Sequence, residues 1–240
     1  FILLLGASTV ALAAGGLNIS NRWSGLNRYR DTRSRTDFII LHTTEGGDRS
    51  SVDRIRRRGL AHYVVLRDGK VYRVIRRQKV AIHAGRSMWD GTQNLDRRSI
   101  GIEVVGYHNK PITSRQIASL KELLSQLQKI YDIEDDHVLT HSMVAYGKPN
   151  RWHRKNHRGR KRCGMQFATP ELRRKLGLDD RPLYDPDVRA GRLIEADPDN
   201  WQLRIERAGL SVRQDRWEEA VADIDRALEL GPSAELVDQL

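Results

Sequence analysis

Cysteine occurs once in 240 residues, and phenylalanine and methionine three times each. A single thiol excludes an intramolecular disulfide framework and any four-thiolate zinc or iron–sulfur centre. It leaves one thiolate ligand, a nucleophile or an inert buried side chain. Long apolar runs are equally scarce: there is one, at the start of the sequence, which excludes a multi-span membrane protein. Lysine is missing after residue 180. What remains, 39% hydrophobic and 30% charged residues, suffices for a packed core, and the length suits one or two domains.

The apolar run covers residues 1–17, without charge and with only Ser8 and Thr9 as polar side chains. Ala11-Leu12-Ala13 supplies the small-x-small pattern of a signal-peptidase site. The expectation is a signal peptide or N-terminal anchor that has lost its basic start, the only membrane contact, with the remaining chain exported to the periplasm or cell envelope. Seventeen residues are at the short limit for a hydrocarbon span of about 30 Å.

Charge is unevenly spread. Residues 181–240 hold 8 Arg against 14 Asp and Glu, a net −6, so residues 1–180 carry +17 of the overall +11. Such a change of sign predicts a basic domain over 18–180 and an acidic segment over 181–240, meeting near a Gly/Asp/Pro cluster at 177–182. The basic part calls for a polyanion: nucleic acid, an anionic cell wall or a membrane surface. In the acidic part Glu195-Ala196-Asp197-Pro198 recurs as Glu229-Leu230-Gly231-Pro232, a spacing of 34 residues, the period of tetratricopeptide (TPR) helical pairs. Trp201, Leu203, Ala208, Trp217, Ala220, Ile224, Ala227 and Leu228 sit at helical spacings. A small α-helical TPR-like segment is expected, docking a protein partner or packing on the first domain.

The basic part alternates strands and helices. Residues 36–42 form an apolar run ending in His42; 62–66 and 71–75 flank Asp68-Gly69, a hairpin signal. Residues 99–105 are another apolar run, interrupted by Glu103. Ile117, Leu120, Leu124, Leu127 and Tyr131 mark a helix over 114–131, capped by Thr113 or Ser114. A short strand over 138–141 ends in His141, and Pro170 opens a final helix. The fold class is α/β, a mixed central sheet flanked by helices.

Two strand-like runs about a hundred residues apart thus end in histidine, and the only cysteine, Cys163, follows. Two imidazoles and a thiolate make a three-ligand set with one tetrahedral corner left for water, as a catalytic zinc requires. Spacing alone does not separate this from an inert thiol and two satisfied polar histidines.

The neighbouring residues go further. Phe38-Ile39-Ile40-Leu41-His42-Thr43-Thr44, Ala61-His62-Tyr63-Val64-Val65 with Asp68-Gly69-Lys70-Val71-Tyr72, Ala81-Ile82-His83-Ala84-Gly85, Ser99-Ile100-Gly101-Ile102-Glu103, Thr140-His141-Ser142 and Gly159-Arg160-Lys161-Arg162-Cys163-Gly164 resemble, in order, the blocks of the zinc-dependent N-acetylmuramoyl-L-alanine amidases (the amidase-2, or peptidoglycan-recognition-protein, family). The resemblance covers roughly residues 37–164. It implies that His42, His141 and Cys163 bind one Zn²⁺, with Cys163 standing where many bacterial members have Asp. It implies that Lys161 faces the metal and stabilises an oxyanion, that His83 lines a groove and contacts substrate, and that Glu103 moves a proton. Tyr63 is a second candidate for proton transfer. Each has a plainer alternative: a solvated charge for Lys161, a solvent-facing acid for Glu103, a core aromatic for Tyr63. His62, His108, His137, His153 and His157 read as structural or solvated.

The resemblance implies hydrolysis of the amide between N-acetylmuramic acid and L-alanine in peptidoglycan or muropeptides. Two rival classes remain at this level. One is a peptidoglycan-binding module that does not cut. The other is a nucleic-acid binder using the basic run 151–162; the apolar leader argues against any nucleic-acid partner.

Overall fold

In a computed structural model the structure describes residues 17, 19–147, 158, 160–179 and 185–231. The expected leader and most of the basic run 151–162 therefore lie outside the described residues.

The core is a six-stranded sheet. Its strands are β1 (Ile19–Asn21), β2 (Phe38–Thr43), β3 (Tyr63–Val65), β4 (Val71–Arg73), β7 (Ser99–Val104) and β8 (Val138–Thr140), ordered β1-β4-β3-β7-β2-β8. A two-stranded hairpin, β5 (Met88–Trp89) and β6 (Thr92–Gln93), stands apart. Within the six-stranded sheet, among the described residues, β3 and β4 are the one antiparallel pair, joined by the Asp68-Gly69 turn with Gly69 at φ +87°. The strands β3, β7, β2 and β8 are mutually parallel, so their carboxyl ends lie on one edge.

Both sheet faces are covered, which explains the continuous apolar runs of β2 and β7. On one face α2 (Ser114–Tyr131) lays Leu120, Leu123, Leu124 and Leu127 on Ile39, Leu41, Ile100, Ile102 and Val104. Thr113 and Gln116 form a reciprocal capping box at its start. The other face has two clusters. Phe38, Ile40 and Leu139 pack against Trp89, Leu95 and α3 (His141–Val144), and Val64 packs with Ile55 of α1 (Asp48–Arg58). Near the end of the basic part, Thr169 caps α4 (Pro170–Leu176).

The acidic segment forms α5 (Pro186–Arg189), α6 (Arg192–Ala196), α7 (Trp201–Val212) and α8 (Trp217–Leu230). The long pair is closed by Trp201, Ile205, Ala227 and Leu230, and by a buried Asp223 that accepts from Arg204 and Arg207. The segment also packs on the sheet domain. Val188, Leu193, Ile194, Leu203 and Leu210 share one cluster with Met88 and Tyr146. Arg158 is buried at that seam: its guanidinium donates to Asp185, to Asp187 and to the carbonyls of Met88 and Val144.

Candidate active site

The parallel strands deliver the candidate groups to one edge, where open α/β sheets bind their ligands. His42 is the fifth residue of β2 and pairs in register with Glu103 of β7, so both point to the face opposite α2. His141 is the first residue of α3, immediately after β8, with Thr140 as its N-cap. Cys163 comes from the chain leading to α4, and hydrogen bonds lace this stretch to β2 and α3. The Cys163 carbonyl accepts from Ser142 N–H (3.1 Å), its Sγ accepts from Thr43 N–H (3.3 Å), and Gly164 N–H donates to Thr43 Oγ1 (3.0 Å). Gly164 must be glycine: its φ is +75°, and a methyl group there would run into the Leu41 carbonyl.

One nitrogen of His42, one of His141 and the Cys163 sulfur lie within 4.8 Å of one another. His42 Nδ1 is 3.5 Å from Cys163 Sγ. Bonds of about 2.05 Å to nitrogen and 2.3 Å to sulfur at a tetrahedral angle would separate the two atoms by about 3.6 Å, so the spacing of this pair, and the chemistry of all three donors, suit a zinc ion. The far nitrogens are engaged elsewhere: His141 Nε2 with the Ala84 carbonyl (3.1 Å) and His42 Nε2 with His83 Nδ1 (3.0 Å).

The electrostatics suit a cation. Burial, then the neighbouring imidazoles, holds His42 well below the usual histidine range, and burial with Lys161 brings His141 to about 4, so both rings are neutral donors at pH 7. Burial, with Glu103 nearby, pushes the Cys163 thiol far up. A thiolate there calls for a positive partner. Burial also raises Glu103 to about 7, opposed by Arg54 and reinforced by Glu45. Glu103 Oε2 is buried and has no hydrogen-bond partner among the described residues. A buried carboxylate left unpaired is costly, so this one is held ready for a ligand or a proton. Lys161 is partly exposed and close enough to act on both imidazoles.

Two sequence-derived candidates sit elsewhere. Tyr63 lies in the α2-side cluster with Ile39 and Ile102, the face turned away from His42, because β3 pairs with β7 in a register that sets Val64, not Tyr63, beside Glu103. Its phenol is therefore not at the proton-transfer position. His83 does not line a groove: its side chain is fully buried behind His42. Several groups near the site were assigned no role from the sequence. Glu45, at φ +53°, accepts from Thr43 Oγ1 and from His108 N–H and faces His108 Nδ1 at 2.8 Å. Arg54 donates to the Thr44 carbonyl. Asp96 and Ser99 stand behind His83. The only sequence signal for Glu45 was its closeness to His42. His62, read as structural, is buried between Gly101 N–H and the Lys79 carbonyl.

Fold and site together define an α/β domain with a partly buried two-histidine, one-cysteine donor set and, on the neighbouring strand in register with His42, an acid whose Oε2 has no partner among the described residues. Residues 32–163 match the family model described as N-acetylmuramoyl-L-alanine amidase, and the chain belongs to that family. It is 33% identical over 86 residues to the 1,6-anhydro-N-acetylmuramyl-L-alanine amidase AmpD of Haemophilus influenzae, covering 35% of this chain and 47% of that protein. The namesake from Enterobacter cloacae is 34% identical over 85 residues, covering 35% and 46%. The chain thus spans about half the length of the curated relatives it matches. Among solved structures, a point mutant of PlyL superposes with a TM-score of 0.50 at 15% identity, over 67% of this chain and 99% of that one, a likeness of fold.

Proposed function

We propose that the protein hydrolyses the amide bond between N-acetylmuramic acid and L-alanine in peptidoglycan or its muropeptide fragments, with one Zn²⁺ held by His42, His141 and Cys163. The observation that carries this reading is the convergence of the three donors beside Glu103, an unpaired buried acid in register with His42. Zinc, when bound, supplies a Lewis acid that activates water and polarises a carbonyl.

The chain's own groups do the rest. Burial raises Glu103 to about 7, toward the working range of a general acid and base, so its carboxylate can take a proton from a water and return it to the leaving amine. The Lys161 ammonium, beside the imidazoles, offsets negative charge developing on the amide oxygen. Burial of His42 and Glu103 keeps bulk water from screening these charges.

The apolar residues 1–17 and a wall substrate support action in the periplasm or cell envelope. Among the described residues no helix is long and apolar enough to cross a membrane. The 34-residue spacing and the α7–α8 pair support reading residues 181–240 as a TPR-like unit, with exposed Trp217, Val221 and Leu228 available to a protein partner. Mass spectrometry of digested muropeptides, with and without chelator, tests metal, bond and reaction together. The expected products are free stem peptides and peptide-free muramyl sugars, lost on chelation and in His42→Ala. Unchanged release by chelated His42→Ala would refute the proposal.

A further inference from the structure

The segment between β4 and β5 places two consecutive residues against the backs of both metal-facing histidines. His42 Nε2 meets His83 Nδ1 at 3.0 Å, and His141 Nε2 meets the Ala84 carbonyl at 3.1 Å. Behind His83 the contacts continue: its Nε2 is 3.2 Å from Ser99 Oγ, and the Ser99 hydroxyl donates to the Leu95 carbonyl at 2.5 Å.

For neutral rings the protons in this series can be placed in one way. A carbonyl only accepts, so the single Ser99 proton goes to Leu95. The Ser99 oxygen then accepts from His83 Nε2–H, which leaves His83 Nδ1 bare. That nitrogen accepts from His42 Nε2–H, and the His42 lone pair falls on Nδ1, the atom facing Cys163. At His141 the Ala84 carbonyl demands Nε2–H in the same way.

The arrangement is built rather than incidental. The buried Asp96 carboxylate accepts from the backbone N–H groups of His83 (2.8 Å) and Ala84 (2.7 Å), pinning both residues. On β7, Gly101 leaves the space that the His83 ring occupies: a Cβ there would stand 2.6 Å from His83 Cγ and Cδ2. Any other residue in that strand position would displace the ring.

We infer that His83 is a positioning residue of the metal centre rather than a substrate contact: with Ser99, and on a loop held by Asp96, it locks His42 in the tautomer that presents Nδ1. The inference rests on the zinc reading above, and its test separates the two. In metal-free wild-type protein, long-range ¹H–¹⁵N spectra should show His42 protonated at Nε2, a result independent of any metal. Zinc affinity, measured by competition with a chromophoric chelator, should fall about 10- to 100-fold in His83→Phe, which keeps the ring and loses the acceptor. His83→Asn, whose Oδ1 replaces Nδ1 as acceptor, should stay within about threefold of wild type. His42 protonated at Nδ1, or equal zinc affinity in wild type and His83→Phe, would overturn the inference while leaving the hydrolase reading intact. No zinc binding by the wild type would overturn both. Should His83→Phe not fold, the wild-type tautomer and the asparagine variant still decide the matter.

Discussion

Replacing Glu103 with glutamine tests the site through stability and activity at once. The carboxyl is buried, has an unpartnered Oε2, and is raised from 4.5 to about 7 mainly by desolvation. Below pH 4.5 the group is protonated in folded and unfolded chains alike and contributes no difference. Between pH 4.5 and 7 the unfolded chain ionises while the folded one keeps its proton, so stability falls as pH rises; above pH 7 the loss is complete. A shift of this size corresponds to about 3 kcal/mol. Glutamine keeps the shape and cannot ionise. Metal-free Glu103→Gln is therefore expected to be about 3 kcal/mol more stable than metal-free wild type at pH 8 and less than about 1 kcal/mol more stable at pH 5. Urea unfolding in the presence of chelator measures both differences. The zinc-loaded variant should release stem peptide about 10²- to 10⁴-fold more slowly. A stability difference that does not change between pH 5 and pH 8, or turnover within tenfold of wild type, would refute the reasoning.

Three further outcomes are expected. Gly164→Ala should cost about 1–3 kcal/mol through its positive φ and the Leu41 carbonyl; by moving Cys163 it should also weaken zinc binding at least tenfold, read by chelator competition. Zinc at a hundred times its dissociation constant should add about 2.7 kcal/mol to the unfolding free energy, an increment that chelator removes and that His42→Ala lacks. Arg158→Ala leaves Asp185 and Asp187 short of a buried partner, although Arg192 still reaches Asp187. It should lower stability by about 3 kcal/mol in thermal melts, whereas replacing Arg158, Asp185 and Asp187 together with apolar residues of similar volume should cost less.

Strands and helices with clear periodicity were legible in the sequence: β2, β7, the β3–β4 hairpin, α2 and β8 lie where their apolar patterns put them. Helix α1 was not, because Asp48–Arg58 has only Val52 and Ile55 as apolar residues among charges. Packing of Ile55 and the left-handed C-cap Gly59 hold it, and tertiary packing overrides weak propensity. The donor triad could be read from residue types once the flanking blocks were considered. What could not be read was face and depth. Alternation along β3 says that Tyr63 and Val64 point oppositely, but only the register with β7 says which of them shares a face with Glu103. For His83 the sequence offers a histidine in a glycine-bearing loop; the pocket over Gly101 that buries it comes from a strand eighteen residues further on. The change in charge sign near residue 180 left open whether the acidic helices dock a partner or pack on the first domain; the apolar cluster around Met88 and Tyr146, which runs across it, is such packing.

That shared cluster bears on any attempt to isolate the catalytic half. A chain ended at residue 180 would strip the cover from Met88 and Tyr146, now 2% and 7% exposed, and leave the Arg158 guanidinium facing solvent beside an apolar scar. It would also discard the −6 that tempers +17 on the remainder, raising self-repulsion within the fragment. Such a fragment is expected to self-associate through the uncovered apolar face despite its higher charge, which sedimentation of the fragment against the whole chain would measure.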